Sequence, residues 1–122
     1  MQERRRAPRL KVKLPVVLRM PGAEVATLGE TLDLSRNGAY FTSEYFMSEG
    51  TRLPVTLELP ADEAHAAARI HPDGIVVRCL PEEEDPAVRS YEVAVFFMDM
   101  IKDEQLLLDA FLERRLGRAT AR

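Results

Sequence analysis

Three histidine or cysteine side chains, His65, His71 and Cys79, could act as nucleophile, base or metal ligand in this chain. A carboxylate run stands at Glu82 to Asp85, and arginines crowd the N-terminus. A catalytic nucleophile needs a base beside it, yet neither histidine lies near a Gly-x-Ser-x-Gly elbow or another nucleophile motif. His65, His71 and Cys79 have no recognised metal-ligand spacing, and a lone cysteine in a valine-rich stretch ordinarily packs in a core. Glu82 to Asp85 lacks the glycine and spaced carboxylates of a calcium loop and is expected to be a solvated loop. No glycine-rich loop leads into a helix to cradle phosphate. The expectation is a protein that is not an enzyme and carries no cofactor or metal.

Anion recognition is better supplied. Arg5 and Arg9 form an Arg-x-x-x-Arg pair, with Arg4 and Arg6 beside them. Guanidinium is planar, permanently charged and bidentate, so it suits phosphate, and its face stacks on bases. The spacing alone is uninformative, because 14 arginines predict about 1.5 such pairs by chance and Arg114/Arg118 and Arg118/Arg122 repeat it. Asp33-Leu34-Ser35-Arg36-Asn37-Gly38 is rarer, with about 0.01 occurrences of Asp-x-Ser-x-x-Gly expected from this composition. A carboxylate accepts the two parallel N–H groups of a guanine edge, a serine hydroxyl can hold a phosphate or purine acceptor, and glycine lets a ligand approach the backbone. Equally, Asp33 and Ser35 could serve only to bond the backbone of a hairpin.

These groups need a sheet to hold them. Leu10, Val12, Leu14, Val16, Leu18 and Met20 alternate with Lys11, Lys13 and Arg19, the pattern of a half-buried strand that Pro21-Gly22 ends. Glu30 to Ser35 follows, with Leu32 and Leu34 expected inward and Asp33 and Ser35 outward. Asn37-Gly38 is expected to supply the positive φ of a tight turn, and Ala39 to Ser43 to return. Leu53 to Leu59 alternates again. Ala64 to Ile70 and Ile75 to Leu80 make two strands or one long bent strand around His71-Pro72-Asp73-Gly74. Tyr91 to Met98 is apolar on both faces, which predicts a central strand. A helical period appears only near the C-terminus, where Leu107 pairs with Phe111, Leu108 with Leu112, and Leu116 lies beyond. Asp103 and Glu104 would occupy its first turn, Arg114 and Arg115 its last, and Gly117 would stop it. The fold class is therefore all-β with one helix: a six-stranded antiparallel β-barrel, closed so that no edge is left bare, plus a C-terminal α-helix over about 102–116.

At 122 residues the chain is expected to form one domain. Its net charge of −3 hides a basic start, since residues 1–13 hold six cationic side chains and one Glu. Residues 1–9 have no apolar anchor and are expected to be a flexible basic arm, with the barrel and helix over 10–122. No stretch approaches the roughly 18 apolar residues of a membrane span or looks like a secretory signal, and one cysteine cannot form an internal disulfide. A cytoplasmic protein is expected.

Taken together, Arg4-Arg5-x-x-x-Arg9 before the first strand, Asp33-x-Ser35-x-x-Gly38 before the third, Gly74-Ile-Val-Val-Arg-Cys, and Tyr91-Glu-Val-Ala-Val-Phe-Phe running into the helix resemble a PilZ domain. The resemblance covers nearly the whole chain. It implies a six-stranded barrel with a C-terminal helix and a bacterial receptor for cyclic di-GMP. Carried over, Arg5 and Arg9 would grip phosphate and contact guanine, Asp33 would read the guanine edge, and Ser35 and Gly38 would shape the strand-turn contact. Arg4 stands where the family varies between one dinucleotide and an intercalated pair, while Arg36 and Asn37 are secondary candidates. The implied mechanism is an arginine arm that closes on the ligand and signals to a separate protein partner in trans. Two other readings remain. One is a PilZ-shaped interaction adaptor without ligand. The other is a small barrel for single-stranded nucleic acid, which the net acidic charge and the lack of tryptophan disfavour.

Overall fold

A computed structural model of the chain describes residues 8–19 and 27–120. Seven strands and one helix follow in order: β1 (Pro15–Leu18), β2 (Thr27–Ser35), β3 (Gly38–Ser43), β4 (Arg52–Leu59), β5 (Ala68–Ile70), β6 (Asp73–Leu80), β7 (Tyr91–Asp99) and α1 (Lys102–Thr120). All pairings are antiparallel, in the order β1-β2-β3-β7-β6-β4-β5, and β1 also pairs with β4. That last pairing closes the sheet into a barrel. β5 and β6 share one register along β4, with Leu57 opposite Ile70 and Pro54 opposite Asp73. Between them the Val55 N–H donates to the Pro72 carbonyl at 3.0 Å. They are one long bent strand, interrupted at His71-Pro72, so the barrel has the expected six strands.

The alternations place the core. Leu53, Val55, Leu57 and Leu59 of β4 are buried, as are Val16 and Leu18 of β1 and Val93, Val95 and Phe97 of β7. Leu108, Phe111 and Leu112 of α1 join them, so the helix packs one stripe on the barrel, and Cys79 is buried in β6. No helix among the described residues is long and apolar enough to cross a membrane.

Several expected boundaries move. The alternation over Leu10 to Met20 does not form one ladder: Pro15–Leu18 is the strand, Leu10 makes an isolated bridge to Leu34, and Met20 lies outside the described residues. The cause is a bulge in β2 between Thr31 and Asp33, which turns Thr31 into the core and leaves Leu32 half-buried rather than inward. The buried Thr31 hydroxyl accepts the Leu14 N–H at 2.8 Å and donates to the Val12 carbonyl, replacing the missing ladder bonds. Ala64 to Ala67 are not strand, because Asp62 Oδ1 accepts the Ala64 N–H at 2.9 Å and the His65 carbonyl accepts the Asp62 N–H, a turn closed by its own residues. The helix runs through Gly117 to Thr120 instead of stopping near 116. An exposed helical glycine costs about 1 kcal/mol relative to alanine but does not by itself end a helix. Leu107 is 44% exposed, so the inward stripe is narrower than predicted.

Candidate functional site

The two polar motifs meet because of the Leu10–Leu34 bridge. The Leu10 N–H donates to the Leu34 carbonyl at 2.8 Å, and the Leu34 N–H donates back to the Leu10 carbonyl at 2.9 Å. Arg9 and Asp33, the residues just before each partner, are thereby brought side by side. Arg9 Nη1 donates to Asp33 Oδ1 at 3.1 Å, with Arg9 59% exposed and Asp33 18%. Among the described residues Asp33 Oδ2 takes no protein donor. A single contact to a mostly exposed arginine contributes roughly 0 to 1 kcal/mol, so the pair is easily exchanged for a better partner.

Asp33 and Ser35 divide the two roles open to them in the sequence. Asp33 bonds no backbone group. The Ser35 hydroxyl, by contrast, accepts the Asn37 N–H at 3.1 Å and donates to the Gly38 carbonyl at 3.5 Å, bracing the turn. The turn itself is Arg36-Asn37, closed by the Ser35–Gly38 pair, rather than Asn37-Gly38. Gly38 does not take the positive φ expected of it; among the described glycines only Gly50 does, at 87°. It is needed for a close approach, since a Cβ at position 38 would stand 2.2 Å from the Val95 carbonyl oxygen. β3 and β7 touch there backbone to backbone.

The result is a small groove of about 210 Å³ on the outer wall, lined by Arg9, Ser35, Asn37, Gly38, Val77 and Phe96 with their neighbours. Arg36 does not face it. Its guanidinium makes a two-pronged contact with Asp109 of α1, Nε to Oδ1 at 3.0 Å and Nη2 to Oδ2 at 3.1 Å. Asp109 is held below the usual carboxylate range by the Arg36 hydrogen bond, against the opposing effect of burial and with help from Gln105. Arg36 therefore ties the motif's turn to the helix. Asn37 lines the groove and its carbonyl accepts the Phe97 N–H at 2.8 Å. Arg4 and Arg5 lie outside the described residues.

A family model for the PilZ domain matches residues 3–114. The chain belongs to the PilZ domain family. PilZ domains are generally receptors for cyclic di-GMP and typically binding or adaptor proteins. Among solved structures, the chain is similar to "Structure of Bacillus subtilis Inhibitor of motility (MotI/DgrA)", with TM-score 0.71 and 22% identity over 100% of this chain and 55% of that one. It thus spans about half of that protein's length. It is also similar to the PilZ domain of CeSA from a cellulose synthesizing bacterium, with TM-score 0.55 and 15% identity over 93% of this chain and 99% of that one. No curated protein matches the sequence.

The groove of this PilZ domain includes residues the motifs do not. Val77 and Phe96 line it while 51% and 49% exposed. The doubly apolar β7 carried the signal for Phe96. β7 is indeed central, between β3 and β6, but its second apolar face is open surface at Phe96 and Met98.

Proposed function

We propose that this PilZ domain binds cyclic di-GMP at the Arg9–Asp33 pair and the groove beside it, and passes the signal to a separate protein. The observation that carries the reading is the meeting of Arg9 and Asp33, 24 residues apart in sequence, through a single 3.1 Å contact beside a groove that Gly38 lines. A dinucleotide offers each group a better partner. Its guanine N1–H and exocyclic amine present two donors to the Asp33 carboxylate, and its phosphate offers Arg9 a bidentate acceptor. Ser35 and Gly38 keep the turn in place beneath it. Arg5, four residues before Arg9 in sequence, would supply a second guanidinium, and Arg4 would serve a second, stacked dinucleotide.

The affinity expected is moderate. Each charge-assisted hydrogen bond contributes roughly 1.5 to 3 kcal/mol, and the freedom that ligand and side chains lose on binding offsets much of the sum. Because the contacts are ionic and exposed, binding weakens with salt. Calorimetric titration with cyclic di-GMP, GMP and a short single-stranded DNA tests the reading. Heat from the cyclic dinucleotide alone is expected. Binding of the DNA, or of nothing, overturns it.

A further inference from the structure

We propose that Phe96, with Val77 beside it, is the apolar wall on which one purine ring of the ligand lies. This deepens the cyclic di-GMP reading and rests on it. The first ground is position: both side chains are about half exposed and line the same small groove as Arg9. Two large apolar groups on an outer barrel wall leave surface that water covers poorly.

The backbone around them keeps that surface bare. β6 shifts register between Val76 and Arg78, and the bulge turns Val77 and Arg78 outward in succession where strict alternation would bury one. Phe96 is opposite Gly38 in the β3–β7 register. Position 38 has no side chain to lay across the ring, and a larger residue there would collide with the Val95 carbonyl. Thus the same glycine that lets two strands touch leaves one side of an aromatic ring open. On its other side Phe96 is opposite Ile75 of β6.

The volume sets what enters. About 210 Å³ is below the roughly 300 to 1,000 Å³ of a pocket that encloses a drug-sized ligand. One flat base fits, and the rest of a dinucleotide lies over the open surface towards Arg9 and Asp33. A base there has an apolar ring on one side and a guanidinium within the same groove, the two surfaces on which bases stack.

The chain has no tryptophan, which makes the test direct. Phe96→Trp creates a single fluorescent reporter at the site, and Phe96→Ala removes the wall without touching the core. Calorimetry with cyclic di-GMP is expected to show about tenfold weaker binding for Phe96→Ala, equivalent to about 1.4 kcal/mol, at an unchanged melting temperature. Phe96→Trp should bind like wild type and change its emission on titration. Wild-type binding with Phe96→Ala within twofold of it overturns this inference alone. No binding by the wild-type chain overturns the cyclic di-GMP reading, and the inference with it.

Discussion

Two regions of this barrel hold charged clusters, and they are built in opposite ways. Where the β4–β5 loop and His71 meet α1, two carboxylates are each held by several donors. Asp62 receives the Ala64 N–H, His65 Nδ1 at 3.0 Å and Arg114 Nε at 2.8 Å, and Glu104 receives both the His71 N–H at 2.6 Å and His71 Nδ1 at 3.0 Å. These contacts set the acidities. Asp62 is held far below the usual carboxylate range by the Ala64 N–H and His65, with Arg114 adding to it. Burial pushes Glu104 upward, but the bonds from His71 outweigh it and leave the group low. Beside the groove, Asp33 has one donor and, among the described residues, an oxygen without a protein donor, and Arg9 is mostly in water. Saturated carboxylates hold elements together, whereas an under-used carboxylate beside an exposed arginine is free to change partners.

That contrast predicts which variants lose binding and which lose stability. The largest effect is expected at the groove, where Arg9→Ala and Asp33→Ala each weaken cyclic di-GMP by at least about 100-fold, roughly 2.7 kcal/mol, while melting temperatures stay at the wild-type value. Normal binding by both would break the comparison. Gly38→Ala forces β3 from β7 and should destabilise by about 1 to 3 kcal/mol in denaturant titrations, as overpacking does. Thr31→Val leaves the Leu14 N–H without its acceptor in the interior and should cost about 1 to 2 kcal/mol. Its expected binding defect is smaller than its stability defect.

The smallest effect sharpens the comparison from the other side. Asp62→Asn should lower the melting temperature slightly at pH 7 and leave ligand affinity unchanged. Because the folded state holds Asp62 below its unfolded acidity, its stabilisation is present above the ordinary carboxylate range and is lost as pH falls below it. The melting difference between wild type and Asp62→Asn should therefore shrink from pH 7 towards pH 3. A constant difference would mean that the carboxylate's charge is not what ties this region.

The barrel was legible in the sequence because core strands obey a period of two, as Leu53 to Leu59 and the inward residues of β7 do. What escaped was local. Period-two reasoning cannot see a bulge: it points Leu32 inward where Thr31 occupies the core, and it does not bring Val77 to the surface. Glycine is favoured both by positive φ and by close backbone approach, and at Gly38 the second cause operates where the first was expected. Phe96 was hidden for a related reason: an apolar residue on the outer face of a strand looks the same in sequence whether a helix, a neighbour or a ligand covers it. The meeting of Arg9 with Asp33 required tertiary structure, since nothing local links residues 24 apart.

The Leu10–Leu34 bridge has a thermodynamic corollary. Arg9 and Asp33 are neighbours only when the segment before β1 is pinned to β2, so the unfolded chain has no place where a ligand can bridge them. Ligand binding is then linked to the whole folding equilibrium. A compound present at one hundred times its dissociation constant adds about 2.7 kcal/mol to stability. Heating the protein with candidate nucleotides is thus a screen for what this groove takes, one that needs neither a label nor a partner.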